Sequence, residues 1–230
     1  IEYYFRDKPA GQDYFASNVY AIMAGYDQIK RLPHDFLAIL DADIILPKDY
    51  YQQIFIKFAE DKLLGVASGI YENLIGNTLH KVLSDRRSTP KAIQVFRREN
   101  FEKIGGYLPL PYGGEDTISC VMTRMNGMKA RSFPEIKVVH LRPTGTGSAG
   151  TIYAARFRQG VAAYHLASQP LFFMLKVLRR MVLEKPYLIG GILRLAGYLW
   201  SFLQRNVIEL PKDVIAFIRK EQLRRVIKLN

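Results

Sequence analysis

The chain has 230 residues, 49% of them hydrophobic and 23% charged, which fits one well-filled globular domain or one domain with an appendage. A single cysteine, Cys120, excludes an internal disulfide framework, and the lack of a Cys/His motif argues against a zinc site. The net charge of +12 is uneven, because residues 1–150 carry 19 Lys and Arg against 17 Asp and Glu, whereas residues 151–230 carry 14 against 4. This basic segment predicts an anionic partner, either a membrane surface or nucleic acid.

The first residues show neither an initiating Met nor the basic-then-apolar layout of a signal peptide. We therefore expect the sequence to begin within a longer chain, and cytosolic exposure is the simplest interpretation of its single cysteine. Turn-forming residues over 8–13, among them Lys8, precede a predicted helix over 14–29.

A short apolar run over 36–40 leads directly into Asp41 and Asp43. Its length and polar borders predict a strand buried on both faces, as in a parallel sheet. Residues i and i+2 of an extended chain point the same way, here at the carboxyl end of the strand, where α/β sheets bind ligands. Such a pair suits Mg²⁺ or Mn²⁺ bridging to substrate phosphates. The alternative is that both aspartates only end the strand and form a turn.

The middle of the chain alternates predicted helices with short apolar strands, which indicates an α/β fold. In chain order these are a helix over 48–61, a strand over 66–71, a polar loop over 72–90, a strand over 92–96, helices over 98–104 and 117–126, and strands over 129–133 and 136–140.

Three more features are candidates for a site. Glu115 and Asp116 stand at the N-terminus of the helix over 117–126, where the alternative role is to complement the helix dipole, worth about 0.3–1 kcal/mol each. His140 ends an apolar strand, as either a ligand or a structural histidine. The glycine-rich run over 142–150 follows, as either a phosphate-binding loop or a linker.

Beyond residue 151 the sequence predicts helices separated by prolines. Between Pro186 and Gln204 only Arg194 is charged, and the uncharged runs on either side fall short of the ~20 residues that span a bilayer. A surface-lying or packed helix is therefore favoured there. The helix over 214–229 sets an apolar stripe against basic residues, which suits the headgroup boundary of an anionic leaflet; the alternative is packing against the domain.

Several of these motifs occur in the order and spacing of family-2 glycosyltransferases. They are Lys8-Pro9-Ala10-Gly11, the following helix with Asn18, Asp41-Ala42-Asp43, residues 101–107 with Gly105-Gly106, Glu115-Asp116 and Val139-His140. Over roughly residues 8–159 the sequence resembles the later part of a GT-A catalytic domain, a Rossmann-like fold of nucleotide-diphospho-sugar transferases. Residues 107–116 and 142–147 resemble bacterial members that build exopolysaccharide or surface glycans.

The first strands of that domain, with the nucleobase motif, are not found in the sequence. We therefore expect an N-terminally truncated GT-A core over 1–150 and a basic helical region over 151–230, associated with a membrane. The resemblance implies inverting transfer of a sugar from a nucleotide-diphosphate donor to the hydroxyl of a glycan or lipid-linked acceptor, at the inner face of the membrane.

The resemblance also assigns roles to residues. It implies that Asp43 ligates Mg²⁺ or Mn²⁺, that Asp41 faces the ribose and the metal-diphosphate, and that His140 is a further ligand or phosphate contact. Lys8, Arg156 and Arg158 are expected to bind the donor, although the last two depart from the polymerase Q-x-x-R-W pattern.

The reaction requires a base as well as a metal. The acceptor hydroxyl must lose its proton, and a leaving diphosphate needs its developing charge stabilised. We assign Asp116 as the general base and Glu115 as a structural or acceptor-orienting carboxylate.

Two other function classes fit parts of the sequence. One is a metal-dependent sugar-phosphate nucleotidyltransferase, and the other is a non-catalytic basic membrane-binding module in which the acidic pairs are structural. A nucleic-acid partner is not expected, because the basic residues alternate with long apolar runs instead of forming a polar, aromatic-studded face.

Overall fold

The computed structural model describes residues 14–83, 85–141 and 151–227. The chain divides into two compact units, residues 1–144 and residues 145–230. The sequence predicts the boundary at residue 150. The first unit is a mixed α/β structure and the second is helical.

The described part of the first unit consists of helices packed around one sheet. The helices are α1 (Tyr14–Ile29), α2 (Tyr50–Glu60), α3 (Arg98–Lys103) and α4 (Glu115–Met125); the strands are β1 (Phe36–Ala38), β2 (Ile44–Ile45), β3 (Leu64–Ile75), β4 (Thr78–Lys81), β5 (Val95–Arg97) and β6 (Lys129–His140). A turn of 3₁₀ helix, Lys91–Ile93, precedes β5. The predicted α/β class is confirmed.

The sheet order is β1-β5-β3-β6-β2, and β4 pairs with the far end of β3. Strands β3 and β6 are parallel, whereas the other pairs are antiparallel. The prediction that the strand before Asp41 is buried on both faces in a parallel sheet is therefore wrong. It pairs antiparallel with β5, and its burial alternates, with Leu37 and Ile39 buried and Leu40 exposed.

Two apolar cores lie on opposite faces of this sheet. Neighbouring residues of one strand alternate between faces, so Val66 belongs to the core beneath α1, α3 and α4, while Ala67 belongs to the core beneath α2. In β5, Phe96 and Val95 divide in the same way. The inner strands β3 and β5 are therefore covered on both sides, which fixes the positions of the loops at their ends.

Two further predictions about strands were wrong. The two strands expected over 129–133 and 136–140 are one strand, β6, which continues through Pro134 with a register irregularity against β3. Strand β4 lies inside the stretch predicted as a polar loop. Its side chains are all exposed, so its sequence lacks the apolar alternation that marks a strand.

The second unit contains α5 (Ile152–His165), α6 (Pro170–Leu183), α7 (Tyr187–Leu203) and α8 (Lys212–Ile227). Helices α5 and α7 cross at glycines in very close contact. A Cβ atom on Gly160 would lie 2.0 Å from the carbonyl oxygen of Arg194, and one on Gly197 would lie 2.1 Å from that of Phe157. These two positions therefore require glycine.

Helix α8 packs against α6, with Val214 and Ile218 buried and Arg225 over the ring of Phe172. These buried apolar residues pack inside the protein, which is the alternative interpretation of this helix. Part of the apolar stripe that we expected at a membrane surface is therefore covered. Among residues 14–83, 85–141 and 151–227, no helix is long and apolar enough to cross a membrane.

Candidate active site

The segment after β1 runs beside the 3₁₀ turn that precedes β5. The amide of Ile39 donates to the carbonyl of Gln94 at 2.8 Å, and the amide of Asp41 donates to that of Ala92 at 3.1 Å. These two hydrogen bonds extend the β1–β5 pairing past the end of β1. They place the carboxylate of Asp41 next to Lys91, the first residue of the turn.

Lys91 connects the two acidic motifs of the sequence. Its Nζ lies 3.9 Å from Oδ1 of Asp41 and 3.8 Å from Oε1 of Glu115, and its backbone N–H donates to Oδ2 of Asp116 at 3.4 Å. One residue thus contacts three carboxylates. Sequence reasoning missed Lys91, because these contacts depend on the fold and no local motif marks the residue.

The acidic pair sits at the N-terminus of α4, after two glycines with left-handed backbone angles. Gly113 has φ +77° and Gly114 has φ +97°, conformations that residues with a Cβ rarely adopt. The carboxylate of Asp116 accepts hydrogen bonds from the backbone N–H of Thr117 at 2.6 Å and from its hydroxyl at 3.3 Å. The glycine turn and these bonds hold Asp116 in place.

The two carboxyl groups differ in burial. Glu115 is 6% exposed, whereas Asp116 is only half-buried. Burial and the neighbouring Asp116 raise the pKa of Glu115, and burial raises the pKa of Asp116 despite its hydrogen bonds. Both groups hold a proton at higher pH than ordinary carboxyl groups do, and Asp116 is the one that a second molecule can reach more easily.

A buried polar network lies close to the Lys91 turn. The hydroxyl of Tyr107 donates to Oε1 of Gln94, and Nε2 of Gln94 donates to the carbonyl of Thr89 at 2.8 Å and to its hydroxyl at 2.6 Å. The Thr89 hydroxyl is also 3.1 Å from Sγ of Cys120. Burial raises the pKa of Tyr107 well above its usual range, so the phenol stays neutral and remains a donor. The network braces the turn that carries Lys91.

A second cluster forms where β2, β3 and β6 meet. In the sheet register His140 is paired with Ile44 on one side and with Asn73 on the other. Its Nε2 lies 3.4 Å from Oδ2 of Asp43, and its Nδ1 lies 3.1 Å from Oδ1 of Asn73. The amide of Leu141 also donates to the carbonyl of Asp43 at 3.0 Å. The structure therefore brings together Asp43 and His140, two of the residues that the resemblance assigns to the cation.

The donor set of this cluster suits a divalent cation. Oδ1 of Asn73 can only accept a hydrogen bond, so Nδ1 of His140 carries the proton in this pair. The lone pair of His140 is then on Nε2, the ring nitrogen nearer to Asp43. Metal-binding histidines are commonly oriented in this way by a second partner. Within the described parts of the chain, no group of three or more His, Cys, Asp or Glu side chains is arranged to hold a metal ion. A cation here would need further ligands, such as phosphate oxygens.

The remaining predicted site residues lie elsewhere or outside the described residues. Lys8 and the run over 142–150 fall outside them. Arg156 is buried in the helical unit, where its Nη1 is 2.7 Å from Oε1 of Glu184 and its Nη2 donates to the carbonyl of Lys185 at 2.7 Å. Arg158 is half-buried on the same helix. Arg156 thus has a structural role, and donor contacts of these arginines stay a prediction.

Comparisons with known proteins give distant structural similarities. No protein-family model matches the sequence, and no curated protein matches it. The chain is similar to the crystal structure of GalNAc-T7 with UDP, GalNAc and Mn²⁺, with a TM-score of 0.44 and 16% identity over 62% of this chain and 34% of that one.

It is also similar to the mannosyltransferase PcManGT from Pyrobaculum calidifontis in complex with GDP-Man and Mn²⁺. Here the TM-score is 0.46, with 14% identity over 91% of this chain and 65% of that one. The chain therefore spans about a third of the first protein and just under two thirds of the second.

Proposed function

We propose that this chain is part of a GT-A-type glycosyltransferase that moves a sugar from a nucleotide-diphosphate donor to an acceptor hydroxyl with inversion. One observation carries the proposal. Lys91 lies between Asp41 and Glu115, so the Asp-x-Asp segment and the acidic pair of α4 border one site. A metal-diphosphate position and a base position side by side are what transfer between two bound substrates requires.

Asp43 and His140 are the residues that would hold the cation, Mg²⁺ or Mn²⁺, together with phosphate oxygens of the donor. When bound, this ion supplies stabilisation of the charge that develops on the leaving diphosphate. The side chain of Asp41, 38% exposed and 3.9 Å from Nζ of Lys91, would face the donor.

Asp116 is proposed as the general base. As the acceptor oxygen bonds to the anomeric carbon and the bond to the diphosphate breaks, the hydroxyl proton passes to the Asp116 carboxylate. Its Oδ1 is held by Thr117, so Oδ2, which accepts a long 3.4 Å hydrogen bond from the backbone N–H of Lys91, is the oxygen that would take the proton. A raised pKa improves a carboxylate as a base near neutral pH. Glu115, more deeply buried, orients this arrangement through Lys91.

The proposal extends to the biological setting. We infer a glycan or lipid-linked acceptor in polysaccharide or surface-glycan synthesis, at the inner face of a membrane. The support is the sequence resemblance and the excess of positive charge over residues 151–230, which favours an anionic leaflet.

The test is sugar transfer by the natural-length protein with a panel of sugar nucleotides and Mn²⁺. Asp116→Asn should lower transfer by about 10²–10⁴-fold while donor binding is kept, and Glu115→Gln should lower it less. Glu99→Gln, an exposed carboxylate on α3, is the matched control. Full activity of the Asp116→Asn variant would show that the base lies elsewhere.

A further inference from the structure

Helix α7 has its polar and apolar faces reversed relative to a helix in water. Its one charged residue, Arg194, is 2% exposed, and its guanidinium lies 2.7 Å from Glu184 and 3.0 Å from Gln159. Its outward positions are apolar: Leu188, Ile189, Ile192, Leu199, Trp200, Phe202 and Leu203 are all exposed, Leu203 by 75%. Charge inside and large apolar side chains outside mark a surface that is covered by something other than water.

Helix α6 adds a second exposed stripe. At spacings of three and four residues it presents Leu171, Met174, Leu175, Leu178 and Val182, while Phe173 and Val177 face inward. Phe173 stacks on Tyr198 of α7 at 4.6 Å, so the two helices pack together and their exposed stripes belong to one helical pair. We call these twelve exposed residues of α6 and α7 the apolar face.

The charges around this face identify its occupant. The exposed residues Lys176 and Arg179 lie on α6 beside its stripe, and Lys185 and Arg205 stand at the two ends of α7. Residues 151–230 carry 14 Lys and Arg against 4 Asp and Glu. A second copy of the chain on this face would therefore bring positive charge against positive charge. An anionic lipid leaflet offers acyl chains to the apolar residues and phosphates to the basic residues.

We propose that the apolar face of α6 and α7 inserts into the acyl region of an anionic leaflet, with both helices lying along the surface. The inner side of α7 packs on α5 through Gly197 and on α6, so only one side meets lipid. The proposal places the docking element on α6 and α7 instead of on α8, whose Val214 and Ile218 are buried. This contact deepens the membrane setting proposed above, and it can form whether or not the chain transfers a sugar.

Trp200 provides a direct measurement, because it is the single tryptophan of the chain and lies in the apolar face, 56% exposed. The chain is mixed with phosphatidylcholine/phosphatidylglycerol vesicles, with and without bromine atoms on the acyl chains. We expect the Trp200 emission to shift to the blue on binding and to be quenched by the brominated lipids. Bound protein whose Trp200 emission is neither shifted nor quenched would overturn the proposal.

Variants separate insertion from surface charge. Leu199→Gln with Leu203→Gln should lower the vesicle partition coefficient about tenfold, since each exchange removes much of one side chain's transfer into lipid. Leu79→Gln, at a leucine that is 48% exposed on β4 of the other unit, should leave the partition coefficient unchanged. Circular dichroism checks that each variant is folded. A blue shift that grows with protein concentration in the absence of lipid would instead assign the face to a second copy.

Discussion

Replacing Lys91 with Met tests whether one side chain holds the two acidic motifs together. Methionine keeps most of the unbranched stem and removes the charge that lies 3.9 Å from Asp41 and 3.8 Å from Glu115. Without it, Asp41, Glu115 and Asp116 become a group of carboxylates with no nearby ammonium from this turn. Because Lys91 lowers the pKa of Glu115, the exchange should also raise that pKa further.

The size of the effect follows from distance and exposure. Two unit charges 4 Å apart attract by about 4 kcal/mol at an effective dielectric of 20, before desolvation is subtracted. The Asp41 side chain is 38% exposed, so solvent screening reduces that pair to below about 1 kcal/mol. The Glu115 side chain is 8% exposed and retains more. We expect Lys91→Met to lower the free energy of unfolding by about 2 kcal/mol and the Tm by about 4–8 °C.

The assay is urea unfolding followed by far-ultraviolet circular dichroism, with Lys91→Arg as the charge-conserving control. A double-mutant cycle with Glu115→Gln isolates the pair, and we expect a coupling of about 1 kcal/mol or more. If Lys91→Met unfolds at the wild-type urea concentration, or if the cycle shows no coupling, the bridging role of Lys91 is refuted.

Three further predictions concern acidity, packing and metal. Burial raises the pKa values of Glu115 and Asp116, so the folded state binds protons more tightly than the unfolded chain. The contribution of these two groups to the free energy of unfolding therefore falls as pH rises from their ordinary values of 4.5 and 3.8 through the raised values. Replacing both by their amides should flatten this pH dependence of stability, measured in urea titrations. Gly197→Ala should destabilise the helical unit by about 1–3 kcal/mol, measured through Trp200 fluorescence, because the helices must separate. Asp43→Ala should weaken Mn²⁺ binding in the presence of a nucleoside diphosphate by about tenfold or more in calorimetry.

Matched variants make these three tests decisive. Gly25→Ala on α1 meets no atom within 4 Å of the added Cβ and should be neutral or stabilising, so equal destabilisation of both glycine variants would contradict the packing argument. Asp49→Ala, on the exposed N-terminus of α2, is the control for Mn²⁺ binding. An unchanged pH slope in the double amide variant would show that other groups set the acid dependence.

Local sequence signals predicted most helices because their information is short-range. Helix α1 was expected over 14–29 and is Tyr14–Ile29; α3 and α4 were expected within two residues of their observed ends. The pairing of Asp43 with His140 is different, because only the resemblance placed both at one cation; the structure brings them to 3.4 Å. Periodicity was sufficient for the helices.

Features that depend on contacts between distant parts of the chain were not predictable from local sequence. Whether the run before Asp41 lies inside a sheet or pairs on one side only is decided by distant residues, and the pattern of five apolar residues does not distinguish the cases. Lys91 gains its partners only after β5 and α4 are placed. Likewise, the apolar stripe of α8 fits packing and membrane binding equally well until α6 is in position.

The parallel pairing of β3 with β6 sets the order in which the site is assembled. Leu64 pairs with Lys129 and Asn73 with His140, so these strands meet only after a long intervening segment has been synthesised and its loop entropy has been overcome. Asp43 immediately precedes β2, and β2 is held beside His140 by its pairing with β6. On the ribosome, the Asp43–His140 contact therefore cannot form before residue 140 has left the exit tunnel, so the proposed cation site is completed only after β6 has been synthesised.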